Sequence, residues 1–536
     1  MSNRLEAFRR FLCGLPGYLR EPISYEAARA TILRRLEKRN ESFLKMVKRC
    51  VYQNPRSPYL PLLRDAQCEY SDMESSLARN ELEDLLARLL ESGVRIPLEV
   101  YKGRKPLEHD GTRLFFREED FDNPILSRGW ESRTGGSTGP PSRMLIDLEF
   151  LADRAPYEHI MFRLLDLSTA PLALWYPKIP ASIGLSNSLR YAKIGYPPAC
   201  WFDMKLSGRS LPYWHSWSLA AVIGLCRLGA VPIPWPRAAP LDDPGVILDW
   251  ISERIQRQGR CAVQSSVSGV VRLCRAAASR GVDLRGVQFI TGSEPLTASK
   301  HAEIETTHAR VFLRYHSTDL GSIASGCGAP ADIDEVHLLS DTVALAVPDA
   351  ELAADGTRRL CFTSILGRGP KVLLNVDLGD QAVIKRRGCG CFYEELGFHT
   401  HLSHVRSAGR STVEGIALPY SELTRISEGI LPRLIGGSIL DYQWVEDEDP
   451  EAGSLTRLWL RLAPRLGTID EENLIRKILA EIGKTDGAHR FYAQLLGDAA
   501  ALKILRENPR ATMAGKTPAV VKGRSSGNPV EPAHLR

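Results

Sequence analysis

The chain has 536 residues, of which 43% are hydrophobic and 25% charged, and its net charge is +5. That length exceeds one compact core, so two or three domains are expected. The composition is ordinary for a globular protein, and so small and dispersed a positive charge gives no support to a nucleic-acid partner. The opening stretch MSNRLEAFRRFLCGLPGYLREP mixes charges with apolar residues, so no secretory signal is expected there. The most apolar stretch, SLAAVIGLCRLGAVPIPW, is broken by Arg227 and two prolines, which argues against a membrane span. Eleven scattered cysteines suit a reducing compartment, and a cytoplasmic protein is expected.

In chain order, residues 1–100 read as a helical region. SSLARNELEDLLARLLESG carries Leu77, Leu82, Leu85, Leu86 and Leu89 at helical spacing, with Gly93 as a stop. From about 212 to 320 helices alternate with short apolar strands: AVPIPW, CAVQS, GVQFITG and RVFLRY are the expected strands. That succession predicts a helix-covered, mostly parallel sheet, an α/β fold whose ligands bind at the carboxyl ends of the strands. TGSEPLT and YHSTDLG each follow one of those strands. HLLSDTVALAV, RRLCFTSIL and QAVIKRR make 337–408 richer in strands. Beyond Gly409-Arg410 a mixed pattern resumes, with NLIRKILAEIG as an amphipathic helix, and 522–536 is expected to be a disordered tail.

One run stands apart. In ESRTGGSTGPPSR, Gly135, Gly136 and Gly139 are interleaved with Thr134, Ser137 and Thr138. Glycines let backbone N–H groups converge on an anion and hydroxyls add donors, so the run reads as a phosphate cradle; a flexible linker has the same composition. It is not a Walker loop, because no Gly-Lys-Ser/Thr follows.

Taken in order, these segments resemble the adenylate-forming superfamily of acyl- and aryl-CoA ligases, nearest to its phenylacetate–CoA ligase-like branch, from about residue 45 to 522. TGGSTGPPS resembles the T-S-G-T-T-G-x-P-K phosphate loop, with Ser142 at the usual closing lysine. TGSEPLT resembles the G-G-E-P-L segment beside the adenine, with Ser293 at a glycine position ahead of Glu294 and Pro295. YHSTDLG resembles Y-G-x-T-E-x-G: Tyr315 would stack on adenine, Thr318 beside Ser317 would touch phosphate, and Asp319 would bind magnesium, while His316 replaces a glycine. LLNVDLGD resembles I-R-Y-D-x-G-D, which puts Asp380 on the ribose hydroxyls; its plainer reading is a turn residue. AGRSTVEG resembles the interdomain G-R-x-D-D hinge, matched at Arg410 but with Thr412 at the acidic position, and RATMAGKTPAVVKGR resembles the segment that delivers the catalytic lysine, here Lys516.

The resemblance implies a large ATP- and acid-binding domain over 101–408 and a small mobile α+β domain over 411–521. It implies attack of a carboxylate on the α-phosphate of ATP, with the 134–139 loop holding phosphates, Thr138, Asp319 and Lys516 assisting, and a thiol, most directly CoA, taking the acyl group. His215, ahead of a helix, would touch the acid, although Ser216 as a helix cap explains the pair equally well. Trp201, Phe202, Trp214 and Trp217 suggest an aromatic or otherwise apolar pocket, or else core. The branch also shows a cysteine, then a histidine, then C-x-C, which implies a structural zinc site of Cys327, His337, Cys389 and Cys391; free thiols with a core histidine are the alternative. His399, His401 and His404 are further candidates by nearness. Three functions stay open: an acid–thiol ligase making an acyl-CoA, an adenylating enzyme serving a carrier protein or amine, and a catalytically weakened nucleotide-binding relative. A homodimer is allowed for.

Overall fold

The computed structural model describes residues 2–109, 111–126, 130–133, 143–179, 181–204, 213–348, 353, 355–413, 416–449, 455–484, 487–498, 501–512 and 514–523. The fold is α/β, with one large sheet, flanking helices and a smaller sheet near the C-terminus. No helix among the described residues is long and apolar enough to cross a membrane.

Twelve strands make the large sheet. Six of them, Pro236–Ala238, Cys200–Asp203, Leu172–Trp175, Cys261–Ser266, Val287–Gly292 and Arg310–Ser317, lie side by side and parallel. The order then continues antiparallel through Gly321–Gly326, Val336–Leu338, Thr400–Ser407, Val376–Arg386, Arg358–Ser364 and Val343–Ala346. Each parallel pairing needs a crossover helix, which is why apolar strands alternate with helices over this half of the chain. Arg310–Ser317 stands where the two regimes meet.

The sequence reading and the fold part company first in the sheet and in the helices ahead of it. AVPIPW forms no strand; the edge strand is Pro236–Ala238, since Pro232 and Pro234 offer no N–H to a ladder. The leucine-rich segment is two helices, Tyr70–Leu77 and Leu82–Glu91, because Glu81 is extended (φ −67, ψ 157) and restarts the chain. Tyr315, His316 and Ser317 belong to their strand instead of following it, with a bulge between Tyr315 and His316.

The first hundred residues close both faces of this sheet. Phe8, Phe11 and Leu15 of helix Ser2–Arg20 pack with Leu219, Val222 and Ile223 of helix Tyr213–Leu228. Phe43, Leu62, Leu82 and Leu86 pack with Val336, Leu360 and Val376 of the antiparallel half. The smaller sheet runs Leu502–Leu505, Leu455–Leu462, Tyr442–Asp449, Val520–Lys522, around its own core of Trp444, Leu460, Leu474, Ile478 and Ile482. Leu474, Ile478 and Ile482 recur every fourth residue on helix Glu471–Ile482, each burying a side chain worth about 2 kcal/mol. Of the expected tail, Lys522 ends a strand and residues 524–536 lie outside the described residues.

Candidate functional site

Parallel strands gather their carboxyl ends along one edge, and three segments from distant parts of the chain meet there. At the end of strand Val287–Gly292, Ser293 adopts the left-handed conformation (φ +71), which a glycine enters freely and a serine does not. Ser293→Gly is therefore expected to raise stability by about 1 kcal/mol, seen as an upward shift in Tm. Gly292 has no such freedom: a Cβ there would lie 2.5 Å from Arg314 O.

Beyond this turn the Glu294 carboxylate accepts the Ser268 N–H at 2.7 Å, the Ser268 hydroxyl at 3.1 Å and the Thr517 N–H at 2.9 Å. The last bond anchors the segment carrying Lys516. Gly515 O accepts from the Ser266 hydroxyl at 3.4 Å, and Thr512 N donates to Lys516 O at 2.7 Å. Gly515 is left-handed (φ +76), and a Cβ on it would fall 2.0 Å from Met204 Sδ. Burial lowers the pKa of the Lys516 ammonium, opposed by the nearby carboxylates of Glu294 and Asp380. Pro295 O accepts from Lys300 Nζ at 3.4 Å.

Asp380 sits within strand Val376–Arg386, not in a turn, just after Gly379 at φ +90. Its Oδ2 accepts from the Tyr315 hydroxyl at 2.5 Å, and Tyr315 packs edge-on against Phe362, with centroids 6.4 Å apart. Burial pushes the Asp380 carboxyl up to about 6, against the opposing Tyr315 hydrogen bond. His316 follows the bulge. Burial first, then Arg314, Arg154 and Arg190, hold its imidazole well below the ordinary range, so it is uncharged. Ser317 Oγ accepts from Leu320 N at 3.0 Å and closes the hairpin tip that contains Thr318 and Asp319. Burial raises the pKa of Asp319, with Lys102 and Lys371 opposing; those two lysines are themselves paired with Glu118 at 3.4 Å and Asp122 at 2.7 Å.

The four sulfur- and nitrogen-bearing residues also converge. Cys327, His337, Cys389 and Cys391 place one ligand atom each within 4.8 Å of one another. His337 Nε2 lies 3.5 Å from Cys389 Sγ and 3.2 Å from Cys391 Sγ, while His337 Nδ1 bonds Phe398 O at 2.8 Å. That second bond turns Nε2 towards the sulfurs, as an outer partner of a ligating imidazole does. Gly390, left-handed at φ +71, turns the C-x-C, and Glu394 accepts the N–H groups of Cys389 and Gly390. The Cys327 hydrogen bond holds Cys391 far below the usual thiol range, with help from His337 and against burial, while Cys327 is pushed far up by Cys391 and by burial. Of the nearby histidines, His401 joins Cys327 and Glu335 in an overlapping group, with Nε2 3.9 Å from Cys327 Sγ.

Several expected residues cannot be placed by side chain. Thr134, Gly135, Gly136, Ser137, Thr138 and Gly139 lie outside the described residues; the strands on either side, Trp130–Arg133 and Arg143–Ile146, pair antiparallel with Arg133 opposite Arg143. His215 lies in helix Tyr213–Leu228 and Arg410 opens strand Arg410–Val413, but their side chains lie outside the described ones. Trp201 and Phe202 are core residues with no exposure, and Trp201 Nε1 donates to Tyr176 O at 2.9 Å. Trp217 is 57% exposed, so these three aromatics line no pocket together.

Sequence reading missed a buried charged group beside His316: Arg154 and Glu158 on helix Leu148–Leu164, Arg190 on Ile183–Lys193, and Arg314. Its one trace was an Arg and a Glu four apart on a helix otherwise carrying Leu151, Ala155, Ile160 and Phe162.

No protein-family model and no curated protein matches the chain. Among solved structures it is similar to 2-hydroxyisobutyryl-CoA ligase in complex with 2-HIB-AMP and CoA, at 14% identity and a TM-score of 0.43 over 91% of each chain. It is similar to O-succinylbenzoate coenzyme A synthetase from Bacillus subtilis in complex with ATP and magnesium ion, at 12% identity and a TM-score of 0.41 over 73% of this chain and 68% of that one. McyG A-PCP complexed with phenylalanyl-adenylate is similar at 12% and 0.43 over 77% of this chain and 59% of that one.

Proposed function

We propose that the chain is an ATP-dependent, AMP-forming acid–thiol ligase of the adenylate-forming kind, with the phenylacetate–CoA ligase-like branch as its nearest type. The observation that supports this most is the convergence of Lys516, Glu294, Tyr315 and Asp380 at the carboxyl edge of the sheet, from segments otherwise far apart in the chain. Asp380 would accept the ribose hydroxyls, displacing the Tyr315 hydroxyl, and the Tyr315 ring would then lie against the adenine. The 134–139 loop, including Thr138, would hold the phosphates, with Ser317 and Thr318 at the opposite hairpin.

In the first step an oxygen of the acid attacks the α-phosphorus while the bond to the β-phosphate breaks, and pyrophosphate leaves. Positioning and charge neutralisation dominate such transfers, and Lys516 provides a cation there. In the second a thiolate, that of CoA, attacks the acyl carbon and AMP departs. Arg410, at the link after strand Thr400–Ser407, would let residues 411–521 turn between the steps, withdrawing Lys516. His215 would border the acid. Burial raises the pKa of Asp319 while Lys102 and Lys371 oppose that rise, and Asp319 would hold Mg2+, which would supply neutralisation of phosphate charge.

The experiment that tests this reading is acid-dependent pyrophosphate release from ATP, followed by thioester formation when CoA is added. Failure of every acid to release pyrophosphate, with no ATP binding, would remove it.

The cysteine–histidine group fits a closed zinc centre in its donor set and spacing, and Cys327, His337, Cys389 and Cys391 would hold Zn2+ as a structural ion. About one zinc per chain is expected by elemental analysis, and chelation is expected to lower Tm by several degrees, since such an ion contributes directly to folding free energy. Cys391→Ser should lower zinc content and Tm together; a full zinc complement in that variant would remove Cys391 from the set.

A further inference from the structure

Between the sheet and the helices Leu148–Leu164 and Ile183–Lys193, three guanidinium groups face one carboxylate. Arg314 Nη2 donates to Glu158 Oε1 at 2.8 Å, and Arg190 Nε lies 3.1 Å from the same oxygen. The side chains of Arg190 and Arg314 are 3% exposed and that of Glu158 is fully buried. Arg154, one helical turn before Glu158, is 9% exposed, and its Nε donates a long bond of 3.4 Å to Ser322 Oγ. Burial opposes ionisation of Glu158, but Arg314 and Arg190 hold it below the ordinary carboxylate range, so it is a full negative charge.

One carboxylate does not balance three guanidiniums. Among the described residues, Arg314 Nη1, Arg190 Nε and His316 Nδ1 are shut off from solvent without a hydrogen-bond partner, as is one acceptor of the group, Glu158 Oε2. Folded proteins rarely leave buried donors idle, and an excess of buried positive charge is costly unless an anion meets it. Guanidinium forks fit a planar carboxylate in two-point contact. The group also has a position: Arg314 points to the face of its strand opposite Tyr315, and His316, past the bulge, lies near enough to Lys516 as well as Arg314 and Arg154 to feel their charge.

We propose that the acid activated at this site carries a second carboxylate, held by Arg314 and Arg154 beside His316, so that the substrate class is dicarboxylic acids. This rests on the adenylation reading. Inorganic phosphate has similar charge and the same donors would suit it, so both are tested.

The test measures pyrophosphate release by the full chain with matched pairs: hexanoate against adipate, benzoate against phthalate and isophthalate, phenylacetate against phenylenediacetate. The dicarboxylate of at least one pair is expected to show a kcat/KM at least about tenfold higher. Arg154→Gln should bring that ratio towards one; reading a ratio cancels any general loss of activity, and Arg154→Gln leaves both partners of Glu158 in place. Should that variant not fold, Arg154→Lys, which keeps the charge but not the fork, is expected to reduce the ratio as well. In parallel, Tm of the unaltered chain without ATP is followed with adipate, phthalate, hexanoate, phosphate and pyrophosphate. Stabilisation by a dicarboxylate and not by its monocarboxylic match supports carboxylate binding by Arg314 and Arg154; if no acid releases pyrophosphate as well, the adenylation reading falls and the dicarboxylate is a ligand of the site and not its substrate. Equal kcat/KM within every pair overturns the proposal and leaves adenylation standing. Stabilisation by phosphate or pyrophosphate without any dicarboxylate overturns it too.

Discussion

Lys516→Ala is expected to slow pyrophosphate release by about a hundredfold to a thousandfold while ATP affinity stays within about threefold. The reasoning lies in how the lysine is held. Its loop docks on strand ends through Thr517 N–H on Glu294 and the Ser266 hydroxyl on Gly515 O, so the backbone positions the ammonium and the side chain is free to serve the transition state. Gly515→Ala offers an independent route to the same loss with Lys516 intact. Its Cβ would meet Met204 Sδ at 2.0 Å in a backbone conformation that alanine resists, so the loop must lift from the site. Calorimetric ATP binding beside steady-state rates checks both variants. A parallel fall in affinity and rate for Lys516→Ala would make the lysine a ground-state contact.

Asp380→Ala is expected to weaken ATP binding by about tenfold to a hundredfold, the worth of one or two charge-assisted hydrogen bonds. The effect has a pH signature. With the Asp380 carboxyl near 6, ATP meets mostly the protonated form at pH 5 and the ionised form at pH 7, so affinity should climb across that window. Asp380→Asn should flatten the climb. Stability of the ligand-free chain runs the other way: a carboxyl raised above its ordinary 3.8 favours folding most at low pH, and that contribution is lost as pH rises through about 6. Opposite slopes for binding and stability, measured on one protein, would tie both to this carboxylate; an unchanged affinity in Asp380→Ala would take it out of the site.

How much of this was legible in sequence depends on the range of the interactions concerned. The parallel strands were readable because runs such as CAVQS and GVQFITG are bounded by helices and glycines, which are local signals. AVPIPW misled because its apolar composition is that of a strand while its prolines forbid the ladder. The turn at Ser293 was visible as a motif, yet its left-handed backbone was not, since serine announces no such conformation. Convergence of Cys327, His337, Cys389 and Cys391 was anticipated through the resemblance to a branch with that order of cysteine, histidine and C-x-C, whereas His401 beside Cys327 arises from its pairing with His337 across two strands. The arginines around Glu158 were hidden for the same reason. Arg190 and Arg314 are far apart in the chain, and only helix-on-sheet packing brings them to one oxygen.

The way the first hundred residues close the sheet bears on how the chain is made. Tyr18 donates to Leu189 O, 171 residues later, and Tyr59 donates to Val372 O, 313 residues later. At ribosomal speeds of 5–20 residues per second, Tyr59 waits about 15–60 s for its partner to be synthesised. During that interval Phe43, Leu62, Leu82 and Leu86 have none of the strands they finally cover. Nascent helices with bare apolar faces are ready clients for chaperones. The yield of native protein in cells is thus expected to respond to translation rate and chaperone supply more than the stability of the finished fold would suggest.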